Sequence, residues 1–259
     1  VYVATPHDSH FHYSMEAINR KLHVLCEKPL SVNSTEAMIL INEAKKNDVF
    51  LMEAFMYRTH PQTFEILELC KKYLKNANVK ILSSFGFDAP VDKSHRLRNL
   101  NLAGGAILDV GCYPLSMARL IAGTLNDEKY LDPKSIEVKG ILDTTGVDNK
   151  SSANLIFSDN ISAYIETSIN EELQNNLIIK SDKVEIEVFE PWHCGQFQEG
   201  KYSIELNLEG KKTIISNKDE VGLFTREINE ASKCILLGDS ESSLMSHKDS
   251  LGNMLWLEK

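Results

Sequence analysis

Four short clusters in this 259-residue chain carry residue types suited to acid–base chemistry: Thr5-Pro6-His7 with His10, Cys26-Glu27-Lys28-Pro29-Leu30, the run from Glu53 to Arg58, and the run from Gly104 to Tyr113. Lys28, set between an acid and a proline, has restricted backbone freedom, and a cis bond to Pro29 could fix it further. A lysine held in this way can donate to a substrate hydroxyl or carbonyl. A surface ion pair and a turn proline would account for the same residues. Asp109 and Tyr113 are four apart at the expected start of a helix, so they share a face. The partial positive charge there is expected to favour phenolate and to lower the Tyr113 pKa toward the range useful for acid–base work. A core or capping pair is the plainer alternative. Gly104-Gly105 would let backbone approach a ligand closely, or would simply turn tightly.

Other chemistries find less support. His7, His10 and His12 invite a metal reading, but no acid or further histidine recurs at ligand spacing, so no metal is expected. A serine hydrolase would want a GxSxG elbow, which the sequence lacks. His193-Cys194 beside Trp192 reads as an incidental loop pair rather than a thiol site.

The elements that must position these clusters begin with a βαβαβ pattern, hence a parallel sheet. VYVA at 1–4 reads as a buried strand, followed by a helix near Phe11 to Arg20, the strand HVLC at 23–26, a helix near Ser34 to Lys46 and the strand VFLMEAF at 49–55. Asn33 and Glu36 form a capping-box pattern, with Ala37, Ile41 and Ala44 on one face. The first three clusters therefore follow the carboxyl ends of successive parallel strands, where open α/β sheets bind ligands. A helix after Pro61 is expected to turn Phe64, Ile66 and Leu67 inward and to carry Lys71, Lys72 and Lys75 on a solvated face. From Val79 the pattern is mainly antiparallel strands, interrupted by a helix at about Leu108 to Ile121. The strands expected are 136–144, 153–157, 161–169, 177–180, 184–189, 202–206 and 212–215, with a hairpin turn at Ser158-Asp159-Asn160. Helices near Leu223 to Leu237 and Ser246 to Leu257 close the chain.

The formal charge of −9 argues against a nucleic-acid backbone or an anionic membrane surface as partner. Five scattered cysteines without a CxxC pair indicate neither a disulfide framework nor structural zinc and suit a reducing cytoplasm. No uninterrupted apolar run approaches the roughly 18 residues of a membrane span.

At these clusters the chain resembles the glucose-fructose oxidoreductase and inositol dehydrogenase family (Gfo/Idh/MocA), closest to its dihydrodiol dehydrogenase and glucose-fructose oxidoreductase branch. The resemblance runs from VYVATPHDSHFHYSMEAI and KLHVLCEKPLS through EAFMYRTHPQ and LAGGAILDVGCYPLSMARLI to SSLMSHKDSLGNM. It implies an α/β fold: a Rossmann parallel sheet followed by an α+β domain with a large, mainly antiparallel open sheet that pairs copies into a homo-oligomer. It also implies hydride transfer between NAD or NADP and a sugar-like, polyol or diol carbon. Carried over residue by residue, Glu27 and Lys28 would sit by the nicotinamide ribose, Thr5, Pro6 and His10 would line the cofactor, and Arg96 would lie over it. Tyr113 takes the acid–base position, with Lys28 and Asp109 assisting. Ala103 stands where relatives often carry a third glycine.

The family's glycine-rich GxGxxG turn is absent from these residues. Residues 1–56 are therefore expected to be a partial dinucleotide-binding domain lacking that half, with residues 57–259 forming the substrate and oligomerisation domain. Glycoside cleavage through transient oxidation on the same scaffold, and a non-catalytic binding or assembly module, stay open as alternatives.

Overall fold

A computed structural model describes all residues from Val1 to Lys259. It contains two sheets, and the split between them follows the change of sequence pattern. The first is a three-stranded parallel sheet in the order β1 (Tyr2–Val3), β2 (Val24–Glu27), β3 (Leu51–Ala54), connected by α1 (His7–Asn19) and α2 (Ser34–Asn47). Parallel neighbours need crossover helices, and these helices supply them. The capping pattern at the start of α2 is real: Asn33 accepts the Glu36 amide at 2.8 Å, and Ala37, Ile41 and Ala44 are buried. The opening strand is shorter and less buried than its sequence suggests. Only Val3 is inside, while Val1 and Tyr2 are exposed.

α3 (Pro61–Tyr73) leads into an eight-stranded sheet built from β4 (Val79–Gly86), β5 (Ser135–Leu142), β6 (Asp148–Ser158), β7 (Ile161–Ser168), β8 (Leu177–Lys180), β9 (Val184–Val188), β10 (Lys201–Leu208) and β11 (Lys211–Lys218). Their spatial order is β11-β10-β9-β8-β4-β7-β6-β5, antiparallel throughout except for the parallel β4–β7 pair. One face packs under α4 (Cys112–Leu125), which is buried along its whole length. Within the helical stretch Leu100–Leu125 an 18-residue window is apolar enough by composition to cross a membrane, but 89% of that window is buried within the fold. That makes it a core helix.

α3 departs from expectation at Phe64, which is 39% exposed; Gln62, Thr63, Ile66 and Cys70 face inward instead. Thr63, Ile66 and Cys70 recur at the three- and four-residue spacing of one helix face, and Phe64, a single residue or about 100° on from Thr63, falls outside it.

α5 (Leu223–Leu237) and α6 (His247–Leu257) end the chain, with Ser246 capping α6 by accepting the Asp249 amide. α6 returns to the parallel sheet, where Met254 joins the core of Val3, Val24 and Leu51. A buried ion network pins it there. Arg58 and Arg119 both bind the Asp249 carboxylate, Arg119 at 2.6 Å, and Arg119 also reaches Asp132 at 2.7 Å. The Arg58 end of the third cluster is therefore spent on tying helices together.

Candidate active site

The ends of β1 and β2 and the loop before α4 enclose a polar cavity of about 370 Å³ lined by Thr5, Pro6, His7, His10, Glu27, Lys28, Arg96 and Asp109. Every expected site residue except Tyr113 is on that wall. Lys28 connects Tyr113 to it: its Nζ donates to the Asp109 carbonyl at 2.5 Å and lies 5.2 Å from the centre of the Tyr113 ring. The Lys28–Pro29 peptide is cis.

Asp109 is the electrostatic hub. Its Oδ1 is 3.0 Å from Arg96 Nη1, 3.5 Å from Lys28 Nζ and 3.6 Å from His7 Nε2. Burial by itself would raise the Asp109 pKa, but the charges of Lys28 and Arg96 outweigh it and hold the carboxyl below its usual value. His7 moves the other way. Burial, reinforced by the Lys28 charge, lowers it to about 4, so at neutral pH it is an uncharged ring whose Nδ1 faces the Ala103 carbonyl at 3.2 Å. His7 belongs to the wall although it was not singled out as a site residue; its adjacency to Thr5-Pro6 was the available signal.

The loop before α4 explains the glycines. A Cβ on Gly104 would fall 2.5 Å from the Arg96 carbonyl, and Gly105, at φ 120°, leaves room for the Asp148 carboxylate. That carboxylate accepts the Ile107 amide at 2.8 Å and so caps the turn carrying Asp109. Both glycines serve this packing rather than close approach of a ligand. Ala103 adopts the left-handed conformation at φ 54°, which glycine would take at less cost.

Tyr113 corrects the expectation about its acidity. Residues Ile107–Gly111 form a π-helical turn that runs on into α4, so Tyr113 lies beyond the first helical turn, where the dipole effect has decayed. Burial, with the acidic groups Glu27, Asp109 and Glu227 adding to it, raises its pKa well above the usual tyrosine value. The ring is enclosed by Phe55, Phe85 and Trp192 at centroid distances of 5.5, 5.2 and 5.9 Å. Tyr113 is thus a phenol at neutral pH.

Thr5 Oγ1 is buried without a hydrogen-bond partner, and Glu27 accepts from the exposed Tyr2 hydroxyl. An orphaned hydroxyl, a carboxylate and two cations around one polar space suit the ribose hydroxyls and carboxamide of a nicotinamide nucleotide. His10 contributes less directly. Its ring nitrogens lie 2.7 Å from the Pro29 carbonyl and 2.8 Å from that of Thr5, leaving no polar edge free for a ligand.

Comparison with known proteins gives the family and the fold. A family model described as "Oxidoreductase family, NAD-binding Rossmann fold" matches residues 1–55, and the GFO/IDH/MocA C-terminal domain model matches residues 78–188. A trans-1,2-dihydrobenzene-1,2-diol dehydrogenase from Danio rerio is 31% identical over 251 residues, covering 96% of this chain and 72% of that protein. A D-xylose 1-dehydrogenase (NADP(+)) from Haloferax volcanii is 37% identical over 168 residues, or 65% of this chain and 49% of the relative. Among solved structures, an aldose-aldose oxidoreductase from Caulobacter crescentus complexed with glycerol superposes with a TM-score of 0.85 at 22% identity, over 100% of this chain and 74% of that one.

Proposed function

Given that the chain belongs to the Gfo/Idh/MocA oxidoreductase family, we propose that it moves a hydride between NAD or NADP and a CH–OH carbon of a sugar, polyol or diol. The observation that carries this reading is the position of Lys28. One ammonium borders the polar cavity, bonds the Asp109 carbonyl and faces the Tyr113 ring.

When bound, the nicotinamide ring supplies or accepts the hydride. Thr5, Pro6, Glu27, Lys28 and Arg96 hold the nucleotide, with His10 supporting the wall behind them. Lys28 also stabilises negative charge developing on the substrate oxygen. Tyr113 delivers its phenolic proton to that oxygen in reduction and recovers it in oxidation. Asp109 acts by orienting Lys28 and Arg96. The relatives described as diol and xylose dehydrogenases support the substrate class.

The test is a nicotinamide-absorbance assay of the full-length protein with NAD and NADP against pentoses, hexoses and trans-diols, in both directions. Turnover with at least one of these is expected, and Lys28→Ala is expected to lower kcat and weaken cofactor binding together. Absence of turnover across the whole panel, or a Lys28→Ala variant with wild-type kinetics, would sink the reading.

The open face of the large sheet is proposed to pair with a second copy. One cross-strand row on that face runs Glu187, Ile178, Leu82, Tyr164, Asn154 and Glu137, so an apolar centre is flanked by polar and acidic residues. No helix covers this row, and a half-apolar sheet face left bare is a common association surface. Light scattering at working concentration is expected to give at least twice the monomer mass, and Tyr164→Lys to shift it toward the monomer. A monomeric wild-type mass would refute the pairing.

A further inference from the structure

The mechanism proposed above leaves the buried carboxyl of Glu53 unused. Glu53, on β3, is almost wholly inside the protein, and its Oε1 accepts the Leu30 amide at 2.8 Å. Its other oxygen makes no well-formed hydrogen bond, although the Ser250 hydroxyl lies near the carboxyl. Leu30 stands two residues after Lys28, and the intervening Pro29 carbonyl is met by His10 Nδ1 at 2.7 Å. His10 is itself tied to the end of β1 through the Thr5 carbonyl at 2.8 Å. The loop that carries Lys28 is therefore held at two consecutive residues by two buried polar side chains, one from β3 and one from α1.

A carboxylate oxygen without a well-formed hydrogen bond in such surroundings is costly, and a leucine or methionine at position 53 would fill the space more cheaply. What the carboxyl adds is a directed hydrogen bond to one backbone amide. We propose that Glu53 is a positioning residue that, with His10, fixes the Lys28-Pro29-Leu30 loop and so sets where the Lys28 ammonium sits. This rests on the catalytic reading of Lys28 given above.

The clamp also has a charge that varies. Burial pushes Glu53 up to about 7, against the lowering effects of the Ser250 hydroxyl, the Leu30 amide and the Arg58 charge and with the help of Asp249. The remaining titratable neighbours, Cys26 on β2 and Cys112 on α4, are both raised by burial to about 12 and stay uncharged near neutrality. Across neutral pH Glu53 therefore changes from carboxylic acid to carboxylate, and the carboxylate is the stronger acceptor for the Leu30 N–H.

The test compares Glu53→Met, which keeps length and burial but removes the acceptor, with Glu53→Gln, which keeps an oxygen facing Leu30. Amide hydrogen exchange and steady-state kinetics are measured on the full-length protein. Exchange at Leu30 is expected to accelerate at least tenfold in Glu53→Met, and kcat/KM to fall by a similar factor. Glu53→Gln should stay within about threefold of wild type in both and lose the inflection near pH 7 in kcat/KM. Should Glu53→Met fail to fold, the Gln variant still decides through the pH profile: an unchanged inflection overturns the proposal. Wild-type Leu30 protection in Glu53→Met overturns it too. Lys28→Ala separates this idea from its premise. If Lys28→Ala is inactive while Glu53→Met keeps wild-type kinetics, the clamp is wrong and the catalytic reading stands; if Lys28→Ala is itself fully active, the catalytic reading is what fails.

Discussion

Tyr113→Phe is expected to lower kcat by about a hundredfold to ten-thousandfold, the usual loss when a positioned acid–base group is removed, while leaving cofactor affinity nearly intact. The substitution is clean for a structural reason. The ring packs edge-on against Phe55 and Phe85, contacts a phenylalanine keeps, and burial and nearby charges, rather than any hydrogen bond to the hydroxyl, set its acidity. The pH profile should carry the same signature. Because burial raises the Tyr113 pKa, the acid form that serves reduction persists across neutral pH, whereas the base form that serves oxidation accumulates only toward alkaline pH. Oxidation is therefore expected to quicken as pH rises, and reduction to stay level until alkaline conditions. Asp109→Asn should fall between wild type and Tyr113→Phe, since it keeps shape but removes the charge that Lys28 and Arg96 share. A Tyr113→Phe enzyme with wild-type kcat in both directions would refute the acid–base assignment and leave Lys28 as the candidate.

Removing the carboxyl of Glu227 is expected to stabilise the protein above neutral pH. Glu227 is fully buried on α5, neither of its oxygens has a partner, and burial, with the nearby charge of Glu27, raises its pKa to about 8. The sign follows from linkage. Below about pH 4.5 the carboxyl is protonated whether folded or unfolded, so it makes no difference. As pH rises from there to 8 the unfolded chain ionises it while the fold still holds the proton, and stability is lost across that window. The loss reaches its full size, on the order of 3–5 kcal/mol, at and above pH 8. Glu227→Met should remove it. In denaturant unfolding the variant is expected to differ from wild type far more at pH 8.5 than at pH 5. An equal difference at the two values would show that Glu227 does not hold a raised pKa in the fold.

Much of this protein was legible in its residues. The periodicity of the first 55 residues determined the parallel βαβαβ order, because crossover connections and buried strands leave a strong local pattern. α5 spans Leu223–Leu237, the bounds expected from the residues alone. The clusters after the strands placed Thr5, Glu27 and Lys28 together, since consecutive parallel strands must end at the same edge of the sheet.

Tertiary structure decided the rest, and each case turns on a contact that no local window contains. Asp109 reaches Lys28, and Arg96 reaches Asp109, from segments some seventy to eighty residues beyond the lysine, which only the docking of the second sheet brings about. Arg58 and Glu53 looked like members of the ligand-binding edge, yet α6 captures the first and the Leu30 amide the second. The acidity of Tyr113 was the clearest reversal. Helix position pointed to a lowered pKa, but the π-helical turn ahead of it and the aromatic enclosure from β4 and Trp192 made desolvation the larger effect. Sequence spacing determines which side chains share a face; the packing around that face decides what their charges cost.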